Sequence, residues 1–453
     1  MNFKIHLQKA IVFCAVFCFL IAFSLQTPSM AKANTSESNL NVNAKSAILI
    51  DANTGQILFE KNADKVLPPA SMTKMMTEYL VMKALHSGKL TWDTKVSISD
   101  YVYHISQNRA YSNVPLRKDY QYTVKELYEA MAIYSANGAT IALAEKIGGS
   151  EKNFVNLMNK TAKEIGMEHA KYINSSGLEN VDLGDYAPVG GPNDSNLLSP
   201  KDLAKLAYRI VTDYPEALKI SSTPLKDFTA GVDHPINMVN WNYMLPGFGE
   251  NMNQYKYQGV DGLKTGHTDL AGYCFTGTVN QNGHRLISVV FGTKSDGARF
   301  IETRKLFDYG YQQFSMKTLV KKGTELKNAK TLSVLKGKED KVKIGLGQSL
   351  KLAVENGNEK DYKIQFHLDK SKLDKDGNLV APVKKGEKVG YATVTHKDGS
   401  PYSYLFNQKS TEIPVVTSQA VEKSNWFVLM MQGIGHFFAS IFHGIGSLFG
   451  KIF

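Results

Sequence analysis

Cysteine is almost missing from this chain. Of three in 453 residues, Cys14 and Cys18 fall within the first twenty positions, so Cys274 stands alone in the remainder. Neither a disulfide framework nor a cysteine-based zinc site can be built from that. Acid is missing from residues 1–33, and acid and lysine are both missing between Trp426 and Phe449. Arginine is missing between Lys317 and Lys388, where 18 lysines face 10 acidic residues. Lysine in place of arginine, with few aromatics interleaved, argues against nucleic acid as a partner. What is present excludes a disordered chain: 43% of positions are hydrophobic and 21% charged, enough for a sizeable core and more than one domain.

The two ends read as topogenic. Lys4 and Lys9 precede an unbroken apolar run from Ala10 to Phe23, followed by Ala31-Lys32-Ala33. This is the pattern of a secretory signal cleaved after Ala33, and the run is short for a spanning helix of about 20 residues. Export makes ATP or NAD chemistry unsuitable, and loss of Lys4, Lys9 and Lys32 lowers the formal charge from +11 to +8. At the other end Phe427, Met430, Ile434, Phe438, Ile441, Ile445, Leu448 and Ile452 recur at helical spacing, with Gln432, His436, Ser440, His443 and Ser447 between them. The expectation is an amphipathic helix lying on a membrane surface with Trp426 at its edge.

Between the ends, Ala47 to Ile50 and Gln56 to Phe59 flank Asp51-Ala-Asn-Thr-Gly55, which reads as a hairpin. A helical block follows. Thr123-x-x-Glu126 is a capping box, and Ser199-Pro200-x-Asp202 opens a second helix. Strand signals return at Val260 to Lys264, Tyr273 to Val279 and Arg285 to Phe291, before a last helix near Arg299 to Tyr311. Strands at both sequence ends of a helical block must pair non-locally, which predicts one mixed-layer domain. Beyond about Ser315 the period changes to two: Leu350, Leu352 and Val354, then Tyr362, Ile364, Phe366 and Leu368, alternate with polar residues. This predicts a small β module. Its net +8 suits anionic lipid, wall polymer, or simply water.

The chemistry begins at Ser71-Met-Thr-Lys74, which opens an amphipathic stretch through Met75, Tyr79 and Leu80 after Pro68-Pro69 holds the approach extended. Positions i and i+3 share a helix face, so the Lys74 amine can lie beside the Ser71 hydroxyl. An amine takes that proton only if its pKa falls well below about 10.4, and burial or a neighbouring cation would push it down. Ser333-Val-Leu-Lys336 fits the same pattern but sits in the β module. Ser-x-Asn also occurs twice, at Ser106-Gln-Asn108 and Ser135-Ala-Asn137; the second interrupts two helical runs and so places polar side chains on a turn. Lys264-Thr265-Gly266 closes an apolar strand. There Lys264 supplies a fixed cation, Thr265 a hydroxyl for a carboxylate, and Gly266 room for a peptide to approach the strand edge.

Ser71-x-x-Lys74, Ser135-x-Asn137 and Lys264-Thr-Gly266 resemble the three motifs of serine penicillin-binding proteins and class A β-lactamases. Asp261-Gly-Leu-Lys-Thr-Gly-His-Thr268 with Ala271-Gly-Tyr273, the signal segment, the β module and the terminal helix together resemble low-molecular-mass D-alanyl-D-alanine carboxypeptidases. The resemblance implies an α/β (α+β) fold: a β-lactamase-like domain with an antiparallel sheet flanked by helices plus a helical subdomain, then a small all-β domain and the amphipathic helix. The corresponding boundaries are 1–33 for the signal, 34–315 for the catalytic domain, 316–415 for the β-rich domain and 416–453 for the linker and membrane-anchor helix.

It further implies acyl transfer without metal or cofactor. Ser71 would attack the penultimate D-Ala carbonyl of a peptidoglycan stem peptide, Lys74 would accept the proton, and Ser135, helped by Lys264, would relay it to the leaving amine. Asn137 would orient the substrate amide. Backbone N–H groups of Ser71 and His267 would form the oxyanion hole, and Arg299, with Thr265, would hold the terminal carboxylate. β-Lactams would be covalent inhibitors. The His267 side chain reads as a pocket wall and Cys274 as a small buried strand residue. The rivals are a β-lactamase, for which no local motif supplies the deacylating glutamate although Glu145 and Glu151 lie in the region, a transpeptidase, and a non-catalytic wall-binding protein.

Overall fold

The computed structural model describes residues 40–325, 330–358, 360–399, 401–406, 412–425 and 430. The expected signal segment and, Met430 apart, the expected terminal helix lie outside the described residues. The hairpin forms as β1 (Ser46–Asp51) and β2 (Ile57–Lys61), with Ala47 opposite Lys61. The helical block contains α1 (Lys74–His86), α2 (Val124–Tyr134), α3 (Asn137–Gly148), α4 (Glu151–Glu164) and α5 (Pro200–Asp213). Both expected capping boxes are made, by Thr123 with Glu126 and by Ser199 with Asp202. The chain then returns as β3 (Val260–Thr268), β4 (Gly272–Gln281), β5 (His284–Thr293) and α6 (Asp296–Gln313).

These strands form one antiparallel sheet in the order β2-β1-β5-β4-β3. Ser46 stands opposite Phe291, so the two sequence ends of the helical block meet at its centre, as expected. Every residue of β1 is buried, because the sheet is covered on both faces. Ile48 and Ile50 join the cluster that contains Met72, Met76 and Leu206, whereas Ala47 and Leu49 join Phe300, Leu306 and Phe307 of α6. A strand buried on both faces needs apolar residues at every position, which is why Ala-Ile-Leu-Ile shows no alternation.

Two local expectations are corrected. Helix α1 is not amphipathic: every residue from Lys74 to Met82 is buried, since that stretch lies between the sheet and the other helices, and exposed side chains begin at Lys83. Nor is the approach extended throughout. Pro69 adopts φ −85 and ψ −9, and Ala70 has φ +49, so a single 3-10 turn over Ala70–Thr73 leads into α1. The pre-proline restriction acts on Pro68 and leaves Pro69 itself free to turn.

The C-terminal part carries its own core around Val342, Ile344, Val389, Ile413 and Val415, inside a six-stranded sheet. A separate ribbon, Phe314–Val320 paired with Leu350–Glu355, continues from α6, and its Ala353 packs into the α6 face of the catalytic sheet. The segment near Tyr404 returns to that sheet. Ile57 N–H donates to Ser403 O at 2.8 Å and Leu405 N–H to Gly55 O at 2.8 Å, so the edge strand β2 is covered.

Candidate active site

Ser71 occupies the 3-10 turn and Lys74 the first position of α1, so the side chains meet across one turn: Lys74 Nζ lies 2.9 Å from Ser71 Oγ. The same amine lies 2.7 Å from Asn137 Oδ1 and 2.7 Å from Ser176 O. These last two atoms are carbonyl oxygens and can only accept. A charged ammonium would donate to all three partners, whereas the neutral amine, which the depressed pKa favours, keeps two N–H donors for the carbonyls and turns its lone pair to the Ser71 hydroxyl. Burial pushes the Lys74 amine well below its ordinary pKa, and the positive charge of Lys264 pushes it the same way.

Ser135 caps the C-terminus of α2 in the left-handed region, φ +64 and ψ 27, a conformation that costs a residue with a β-carbon about 1–2 kcal/mol. That turn presents its hydroxyl to Lys264, whose Nζ donates to Ser135 Oγ at 2.8 Å. Asn137 begins α3 and is clamped from behind, its backbone N–H and its Nδ2 both donating to Ser112 O at 2.9 and 3.1 Å. The decoy Ser106 is part of this scaffold: it is buried, donates to Tyr103 O at 2.8 Å, and a β-carbon at Gly138 would lie 2.7 Å from its own. The other decoy, Ser333, sits in the strand Thr331–Leu335 of the β module.

Lys264 is buried and held in place, with its proton held less firmly than an ordinary lysine's. Burial lowers it first and Arg299 adds to the effect, against the opposing charge of Glu78, leaving it at about 7. Gly266 has a second reason to lack a side chain. A β-carbon there would lie 2.5 Å from Pro69 O, so the glycine admits the nucleophile turn itself against β3. Strand β3 is nonetheless an edge strand of the sheet, open to pairing with an extended peptide.

Ser71, Ser135, Asn137, Thr265, Gly266, His267 and Arg299 all line one cleft of about 410 Å³, with Lys74 and Lys264 buried behind its floor. Arg299 is no surface residue: it is 3% exposed, pairs with Asp296 and approaches Gly266 O at 3.4 Å. The His267 ring stacks on Tyr273 with centroids 4.0 Å apart and forms a wall. Cys274 is buried, and burial raises its thiol to about 11.

Several participants were not legible beforehand. Tyr111, Trp241 and Tyr273 add aromatic walls to the cleft. Ser176 supplies an acceptor to Lys74 through its backbone, which no side-chain pattern reveals. The available signal was Gly177, which holds φ +84 and whose added β-carbon would lie 2.0 Å from Ala70 O. Glu78, one turn beyond Lys74, is buried on Tyr128 Oη at 2.8 Å, and burial raises its carboxyl to about 7. Glu151 is buried against Tyr101 and Ser175, and neither it nor Glu145 lines the cleft.

Residues 32–295 match the family model described as Peptidase_S11, D-alanyl-D-alanine carboxypeptidase, and residues 314–423 match that of the penicillin-binding protein 5 C-terminal domain. The chain is 31% identical over 416 residues to the D-alanyl-D-alanine carboxypeptidase DacC of Escherichia coli, covering 91% of this chain and 92% of the relative. It is 30% identical over 398 residues to DacF of Bacillus subtilis, covering 88% and 91%. Among solved structures, a peptidoglycan synthesis regulatory factor (PBP3) from Streptococcus pneumoniae superposes with TM-score 0.69 at 36% identity, covering 84% of this chain and all of that one. Penicillin-binding protein 5 from Haemophilus influenzae gives 0.66 at 29% identity, covering 84% and 98%.

Proposed function

This chain belongs to the Peptidase S11 family of serine D-alanyl-D-alanine carboxypeptidases, and from that premise we propose how its own residues divide the reaction. Ser71 attacks the penultimate D-Ala carbonyl of a stem peptide while the Lys74 lone pair takes the hydroxyl proton. The proton reaches the departing D-alanine amine through Ser135, which Lys264 holds in place. Backbone N–H groups of Ser71 and His267 meet the oxyanion, each such donor being worth roughly 3–4 kcal/mol. Asn137 orients the substrate amide. Arg299, Thr265 and Lys264 meet the terminal carboxylate, for which a guanidinium fork is suited. Water then releases the acyl group from Ser71, and a β-lactam enters as a carbonyl that acylates the same oxygen. The observation that carries this reading is the three-partner environment of the Lys74 amine.

The choice of carboxypeptidase over β-lactamase is supported by the cleft lining, which includes Asp296 but no glutamate among the described residues. Purified protein should release D-alanine from a D-Ala-D-Ala pentapeptide faster than it hydrolyses penicillin, and Ser71→Ala should abolish both. The opposite ranking would make it a lactamase, and activity surviving Ser71→Ala would remove the nucleophile.

We also propose the division into a signal at 1–33, a catalytic domain at 34–315, a β-rich domain at 316–415 and a linker and anchor at 416–453. The separate cores and the two family matches support the middle boundary. Action outside the cytoplasm fits a peptidoglycan substrate. Among the described residues no helix is long and apolar enough to cross a membrane. The anchor reading therefore rests on the apolar stripe from Phe427 to Ile452, seated on the outer face of the membrane. Truncation before Trp426 should give soluble enzyme with unchanged D-alanine release; a truncated protein that still sediments with membranes contradicts the anchor.

A further inference from the structure

A second cleft, of about 680 Å³, lies away from the acyl-transfer group, where the turns of both catalytic hairpins meet the β module. Asn53, Asn282 and His284 come from the hairpin turns, Gln348 from the turn before Leu350, and Tyr208 and Tyr404 from α5 and the returning segment. Its chemistry is specific in sign. Among the described residues Lys351 is the sole lysine or arginine in the lining and no acid contributes, so neither a polyanion nor a cationic peptide finds matching charge. The Asn53 amide is held by Gly283 O and the Arg285 N–H, which leaves the amides of Asn282 and Gln348 to donate and accept beside the tyrosine rings, a lining suited to a ligand of hydroxyl and acetamido groups with apolar ring faces.

Beneath the wall, Asp51 is fully buried; its Oδ1 accepts from Thr54, and its Oδ2 lies 2.8 Å from His284 Nε2 without the alignment of a hydrogen bond. Asp51 Oδ2 and His284 Nε2 therefore answer each other as an ion pair, and of this group the oxygen of buried Gln56 is the atom left without a hydrogen-bond partner. A buried polar atom is seldom left unpaired, and a water held behind the cleft wall would complete it.

We propose that this cleft binds a neutral glycan of acetamido-hexose units, the strand that bears the stem peptides, and so holds the enzyme on its polymer while the active cleft works. The proposal rests on the reading of the substrate as a wall peptide. The test uses the full chain with Ser71 acylated by penicillin, titrated calorimetrically with a peptide-free N-acetylglucosamine hexamer. Saturable binding with Kd of about 1 mM or tighter is expected, equal in acylated and free enzyme. It should be lost in Gln348→Trp, which fills the cleft from an exposed turn, and unchanged in Lys351→Ala. D-alanine release from free pentapeptide should be unchanged in both variants. No saturation, binding abolished by acylation, or binding that depends on Lys351 would each overturn the proposal. Failure of the unmodified enzyme to release D-alanine from the free pentapeptide would instead sink the function on which it rests.

Discussion

Lys74→Met should reduce the acylation rate by penicillin about 10³-fold or more, within the range that general-base removal typically costs. The substitution retains a long side chain behind the cleft floor but removes the lone pair that faces Ser71 Oγ at 2.9 Å. The change in stability is the difference of two opposing effects. Two buried carbonyls, Asn137 Oδ1 and Ser176 O, lose their donor, at about 1–3 kcal/mol for each group left unsatisfied. Against this, an amine is no longer held in a site where burial disfavours its charge. Stopped-flow acylation together with denaturant unfolding checks the pair of outcomes. A variant that acylates within tenfold of the parent would show that Lys74 orients the site without taking the proton.

Gly177→Ala is expected to cost about 2–5 kcal/mol of stability, combining left-handed strain with overpacking. Its φ is +84, and the added carbon would meet Ala70 O at 2.0 Å, Ala70 C at 2.5 Å and Thr73 Oγ1 at 2.9 Å. Two of those three atoms are backbone of the nucleophile turn, so relief requires either that turn or the 174–177 loop to move. Both movements reach the chemistry, one through Ser71 and the other through Ser176 O, so acylation should fall with stability. A variant with an unchanged urea midpoint would mean that the loop is not pressed on the turn as described.

Much of this architecture is written in local patterns. The capping boxes at Thr123 and Ser199 announce their helices because orphan backbone donors must be satisfied where they arise. The Ser-Lys spacing announces a contact because one helical turn enforces it. The packing of Gly266 against the turn that carries Ser71 does not show in the sequence because its neighbour, Pro69 O, lies about two hundred residues earlier in the chain. The all-round burial of α1 was hidden because a polar side chain such as Thr77 or Glu78 looks solvent-facing until its partners, Ser175 O and Tyr128 Oη, are known. Similarly, a lysine reads as a fixed charge until burial and Arg299 are found around it. Contacts set by topology, not by spacing, are what a linear pattern leaves out.

The most direct test of a neutral Lys74 acting on Ser71 is the pH dependence of the second-order acylation rate constant in the unmodified enzyme, which reports ionisations of the free protein. The rate should rise as Lys74, displaced well below the ordinary lysine range, gives up its proton and its lone pair becomes available, and it should reach a maximum before that ordinary range because Lys264 loses its own proton at about 7. A rate that climbs without a maximum to about pH 10.4, the range of an ordinary lysine, would contradict it.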